Sequence, residues 1–269
     1  MNKKTWLAYI VLIGCIGLLA GSYIQWKDKL ASFHDNPSTV QREEPVEKDV
    51  EPAEDVQPQI DKERLLSLIT NQDEQVQEVF RNRLEADEQV NFLIVGSEFM
   101  TAGDPGYADR LNTALKVAYG DSIQVTIAPI DGTSEEFINE GIGTEVDLTN
   151  EYDVVLFEPF TLNNNGWVVI EDEHQHINTF REELATHVKD AVVVLHPPQP
   201  VHLATYYPTQ VSSLQLFAET EKIPYVDHWA DWPDTESDEL PQFLTEESTP
   251  NSEGADIWAN ALISYFIAK

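Results

Sequence analysis

From residue 91 onward the apolar positions change period again and again along the chain. Phe92 to Val95 is an unbroken apolar run, as in a strand buried on both faces, and it stops at Gly96-Ser97-Glu98. Gly106 to Tyr119 follows with Tyr107, Leu111, Leu115 and Ala118 at helical spacing. The alternation continues with a strand over 122–128 and a loop over 131–141 that enters a short helix. There Thr133-Ser-Glu-Glu136 resembles a capping box. Strands are predicted at 152–157, 191–195 and 223–226, the second stopped by Pro197 and Pro198, and helices at 174–188, 207–220 and 253–267. Five strands separated by helices predict an α/β domain over 88–269, with a parallel sheet covered on both faces and right-handed crossovers.

The residues before this domain have a different grain. Residues 61–84 place Leu65, Leu68, Ile69, Val76, Val79, Phe80 and Arg83 three and four apart, which predicts one helix within a membrane-proximal segment, 61–87. Residues 25–60 are polar, acidic and proline-rich, with too few apolar side chains for a core, and read as an extended linker. Thr5 to Ile24 carries no charge. As a helix it would span roughly 30 Å, the depth of a bilayer core. Residues 1–24 therefore read as an N-terminal transmembrane anchor. Lys3 and Lys4 favour a cytoplasmic N-terminus and an extracytoplasmic domain on a single-pass cell-membrane protein. Two further readings stay open at this stage, a cleaved signal peptide and a lipoprotein acylated at Cys15, the only cysteine.

Charge narrows the partners. The chain holds 48 acidic and 16 basic residues, a formal net charge of −32. Residues 1–60 account for 9 and 6 of them, so the acidity belongs to the folded part. Such a surface repels nucleic acid. No D-x-D-x-D-G loop or metal-ligand spacing occurs, so neither a cofactor nor a metal is expected.

In parallel α/β sheets the carboxyl ends of the strands face the ligand crevice. Ser97, Glu158, His196 and Asp227-His228 fall at such ends, and Asp131-Gly132 lies in the loop after the second strand. In this order the features resemble the SGNH, or GDSL-type, serine ester hydrolases. Gly96-Ser97-Glu98-Phe99 resembles that family's first block, G-D-S-[LI]. Asp131-Gly132-Thr133-Ser134 is similar to the second, whose glycine N–H helps form the oxyanion hole. Glu158-Pro-Phe-Thr-Leu-Asn-Asn-Asn165 stands where the family has G-x-N-D, with Asn163 or Asn164 matching the oxyanion asparagine. Glu246-Glu-Ser-Thr-Pro-Asn251 stands in place of D-x-x-H-P-N.

The resemblance implies a three-layer flavodoxin-like fold and a hydrolase acting on an ester, such as an O-acyl group of cell-envelope carbohydrate. Ser97 would be the nucleophile, and Gly132 with Asn163 or Asn164 would hold the oxyanion. Two departures cut against activity. Aligned without a gap, Ser97 falls on the family's aspartate and Glu98 on its serine. Thr249 stands where the histidine should be, and a threonine cannot act as general base near neutral pH. Glu98, Glu158, His196 and His228 are the auxiliary candidates. Trp167, Trp229 and Trp232 could stack on a sugar. The alternative to an esterase is a catalytically silent protein of the same fold that binds envelope glycan or a protein partner.

Overall fold

A computed structural model describes residues 56–269. The anchor and most of the linker expected from the sequence, 1–55, lie outside the described residues. Among the described residues no helix is long and apolar enough to cross a membrane.

A four-stranded parallel sheet forms the centre, in the order β2-β1-β3-β4: β1 is Val90–Ser97, β2 Ile123–Ile130, β3 Val154–Phe157 and β4 Val192–Leu195. Helices α1 (Val56–Leu68), α2 (Glu74–Glu85), α3 (Tyr107–Tyr119), α4 (Ile170–His187), α5 (Tyr207–Glu221) and α6 (Ser252–Phe266) surround it. Successive strand residues point to opposite faces, and this divides the core in two. Phe92, Ile94, Val154, Leu156 and Val194 pack with Val76, Phe80, Leu111, Leu115, Trp258, Leu262 and Phe266 from α2, α3 and α6. Leu93, Val95, Val155, Phe157, Val193 and Leu195 pack with Ile177, Phe180, Leu184 and Leu214 from α4 and α5. The expected three layers are therefore present.

Two expectations require correction. The fifth strand is reduced to an isolated bridge between Leu195 and Tyr225. The Leu195 N–H donates to Pro224 O and the Val226 N–H to Leu195 O, but Pro224 has no N–H with which to continue the ladder. The single helix expected over 61–84 is two helices. Between them Asn71 Nδ2 donates to Ser264 O and Gln72 Nε2 to Phe266 O, at 2.8 and 3.1 Å, and Asp73 is extended, with ψ 152°. The polar run 71–73 spends its side chains on α6 rather than on continuing a helix, Asp73 Oδ2 accepting the Tyr265 hydroxyl at 2.7 Å. Behind this break Arg83 of α2 reaches the buried Asp153, donating from Nε at 3.0 Å and from Nη2 at 2.6 Å. Asp153 also accepts the Asn91 N–H at 2.8 Å, so one carboxylate ties α2 to the starts of β1 and β3.

Candidate functional site

The carboxyl end of β1 meets the residue that follows β3. Gly96 is needed there, because a Cβ on it would lie 2.6 Å from Glu158 Cβ. That close approach brings the Glu158 carboxyl onto Ser97. Oε2 accepts both the Ser97 N–H, at 2.8 Å, and the Ser97 Oγ–H. Oε1 accepts the Phe160 N–H at 2.7 Å. Ser97 is 0% exposed and Glu158 1%. Burial pushes the Glu158 carboxyl up to about 7, against the opposing pull of its bonds to Ser97 and Phe160. Glu98, next in the chain, is exposed and opens a short 3₁₀ turn over Glu98–Thr101.

A second buried carboxyl lies behind the first. Phe160, held at φ 62°, turns the chain into the helical turn Thr161–Asn164. Thr161 Oγ1 donates to Glu173 Oε1 at 2.8 Å, and Asn164 Nδ2 to Glu173 Oε2 at 2.7 Å. Asn164 Oδ1 accepts the Ser134 N–H at 2.9 Å. Asn164 is thus fully committed inside the protein, binding the turn after β2 to the turn after β3. Burial pushes Glu173 up to about 7 as well.

Asn163 faces elsewhere. With Gly132, Thr133, Glu135, Glu136, Trp167 and Val168 it lines an open cavity of about 450 Å³. Gly132 takes φ +125°, which lets the chain leave β2 and enter the Thr133 capping box. Glu136 Oε2 accepts the Thr133 N–H at 2.8 Å and Thr133 Oγ1 at 3.0 Å, and these bonds hold its carboxyl below the usual range. The capping box expected at 133–136 is therefore present. Of the expected site residues, Gly132 and Asn163 share this cavity, and Ser97 is not part of its lining.

Both candidate histidines are buried and engaged within the protein. His228 Nε2 lies 2.8 Å from Pro197 O, and its Nδ1 accepts the Trp232 indole N–H at 3.1 Å, which fixes a neutral ring protonated on Nε2. Burial brings it down to about 3. His196 Nδ1 receives the Trp258 indole N–H at 3.3 Å, and its Nε2 lies 3.5 Å from the Tyr107 hydroxyl. Burial, then the neighbouring His228, holds His196 well below the ordinary imidazole range. Neither ring is bonded to Ser97. Thr249 Oγ1 pairs with Thr245 Oγ1 at 2.9 Å, and Asn251 caps α6 by accepting the Glu253 and Gly254 N–H groups. Of the three tryptophans, Trp232 is buried and Trp229 donates to Pro198 O, whereas Trp167 is 84% exposed.

Solved structures share this architecture. Acetylxylan esterase Axe2 of Geobacillus stearothermophilus is 15% identical, with a TM-score of 0.53 over 66% of this chain and 94% of its own. A G-D-S-L-family protein of Desulfitobacterium hafniense DCB-2 is 16% identical, with a TM-score of 0.52 over 66% of this chain and 99% of its own. An α/β hydrolase from the metagenome of Lake Arreo gives 15% identity and a TM-score of 0.52, over 66% and 94%. The chain has the SGNH hydrolase fold. Neither a protein-family model nor a curated protein matches the sequence. On the SGNH frame the segment after β3 therefore does two separate jobs. Asn164 is an internal brace, and Asn163 opens to the cavity. Glu173 is the functional-site neighbour that sequence reasoning missed. It continues the buried stripe Ile177, Phe180, Leu184 backward by one turn, and that spacing was its signal.

Proposed function

We propose that the chain is a catalytically silent protein of the SGNH fold that binds a cell-envelope glycan in the cavity between 132–136 and 163–168. The observation that carries this is the state of Ser97: its hydroxyl is sealed and donates to Glu158, with no imidazole bonded to it. A serine without an accessible base is a poor nucleophile. The cavity offers an exposed indole beside polar side chains, the usual chemistry of a sugar platform. The acetylated polysaccharide named for Axe2 supports carbohydrate as the first ligand class to try. The uncharged run 5–24 supports a membrane-anchored protein with this domain outside the cytoplasm.

One observation favours a second reading. A carboxyl that titrates near 7 beside a serine hydroxyl is matched to general-base work at neutral pH, so a movement that uncovered Ser97 would leave a serine–carboxylate pair. Assay of the full chain and of Ser97→Ala on acetylated xylo-oligosaccharide and on a short acyl ester separates the two. The silent protein gives no hydrolysis above buffer with either. Turnover that disappears in Ser97→Ala would establish the esterase.

A further inference from the structure

We propose that the cavity at 132–136 and 163–168 selects an organic cation: a sugar or alkyl body bearing a free ammonium group. This rests on the reading that the cavity is the binding site, and it goes further by naming the charge of the ligand.

The lining is one-sided in its chemistry. Glu135 and Glu136 are its charged members, and among the described residues no lysine or arginine lines it. Glu136 is held ionised by the Thr133 capping bonds. The imbalance extends well beyond the cavity. From Val117 to Phe180 the chain has thirteen aspartates and glutamates and not one lysine or arginine, and every lining residue falls in this segment. An anionic ligand would find no cationic partner among these side chains and would be repelled by both glutamates.

Two further features ask for a donor. The Asn163 carboxamide oxygen is buried without a hydrogen-bond partner among the described residues, and a turn about its soft terminal torsion would present it to the cavity that Asn163 lines. Trp167 holds out an indole face, the best of the aromatic surfaces for a cation. Carboxylate, carboxamide oxygen and indole all attract an N–H cation. A neutral sugar would leave the glutamates uncompensated when the ligand displaces their water.

The test is calorimetric titration of the full chain at pH 6 and moderate salt. The ligands are a glucosamine oligomer, its fully N-acetylated counterpart of equal length, and hexylammonium, with Trp167→Ala and Glu135→Gln as variants. Both side chains are exposed, so the variants keep the fold. The glucosamine oligomer is expected to bind at least about tenfold more tightly than the acetylated one. Trp167→Ala should lose about tenfold although net charge is unchanged, and Glu135→Gln should narrow the preference between the oligomers. Equal affinity for both oligomers would overturn the cation claim and leave the glycan reading standing. Binding indifferent to Trp167→Ala would also overturn it, as attraction to the acidic surface at large. Hexylammonium binding that depends on Trp167, with neither oligomer bound, would support the cation and remove the glycan. No binding of any probe would remove both.

Discussion

Glu158 makes a quantitative demand on the stability of the fold. Its carboxyl is wholly enclosed, and burial lifts it from 4.5 to about 7. A folded-state value above the unfolded one means that the native protein holds the proton more tightly. The associated stability is fully present below pH 4.5 and is lost as pH rises through 7. At 1.36 kcal/mol per unit the loss is about 3 kcal/mol. The Glu158→Gln variant cannot ionise, so it should not show this loss. It carries a fixed penalty instead. Whichever way its amide is turned, an NH2 group faces either the Ser97 or the Phe160 N–H, and one backbone donor goes unpaired at a cost of about 1–3 kcal/mol at every pH.

The quantity to measure is therefore a difference curve. Urea unfolding of wild type and Glu158→Gln at half-unit steps from pH 4 to 8.5 gives stability for each, and subtraction removes every group common to both. The variant should be the less stable at pH 4, and the gap should close, or reverse, by about 3 kcal/mol up to pH 7.5 and then stay flat. Parallel curves would refute the reasoning. They would mean that Glu158 titrates alike in the folded and unfolded chains, so that the enclosure of Ser97 and Glu158 does not persist in solution.

Other consequences are simpler. His228 works with the opposite sign: its folded value of about 3 lies below the unfolded 6.5, so its contribution is present above pH 6.5 and is lost as pH falls through 3. The His228→Gln variant should accordingly flatten the acid limb of the unfolding curve by up to about 5 kcal/mol. Arg83→Ala strips two bonds from the buried Asp153 and should cost about 1.5–3 kcal/mol by urea titration, with the heat-capacity change of unfolding unaltered. Gly96→Ala drives a Cβ into the backbone-proximal carbon of Glu158 and should cost about 3 kcal/mol or prevent soluble expression. Asn251→Ala removes the acceptor at the start of α6 and should cost about 1 kcal/mol.

Much of the fold could be read from local pattern because its layers obey short periods. The run Phe92 to Val95 signalled a strand covered on both sides, and Phe92 and Ile94 do serve one half of the core while Leu93 and Val95 serve the other. Pattern failed where the segment itself lacked a ladder donor or where tertiary partners outbid it. Ile223 to Val226 looks like a strand, but Pro224 limits it to a bridge. Residues 61–84 look like one helix until Asn71 and Gln72 find carbonyls on α6, nearly two hundred positions away. At the site, the motif order located Ser97, Gly132 and Asn163 along the chain without saying which of them shared a space. That depends on how β1 and β3 lie against each other, and it is settled by the missing side chain of Gly96. Asn163 and Asn164 were indistinguishable as letters, and only the position of Glu173 on the far helix decides which of them is the brace.

The arrangement also separates charge from enclosure. Along the crest of the sheet the protein buries two carboxyls and two imidazoles, and burial drives each toward its neutral form: Glu158 and Glu173 upward, His196 and His228 downward. A Ser–His hydrolase site needs the reverse for its imidazole, which must be poised to gain a proton and open to the substrate. Between about pH 4.5 and 6.5 the native protein keeps its extra protons on the two acids while the unfolded chain keeps them on the two histidines. The contributions of the acids and of the histidines therefore oppose each other across that range. The crest thus serves as a neutral, internally bonded support. Glu135 and Glu136 stand outside it, on the cavity that the Trp167 indole and Asn163 also line. On the proposed reading, recognition belongs to the rim formed by residues 132–136 and 163–168, and substitutions at Ser97 should alter stability well before they alter what the cavity binds.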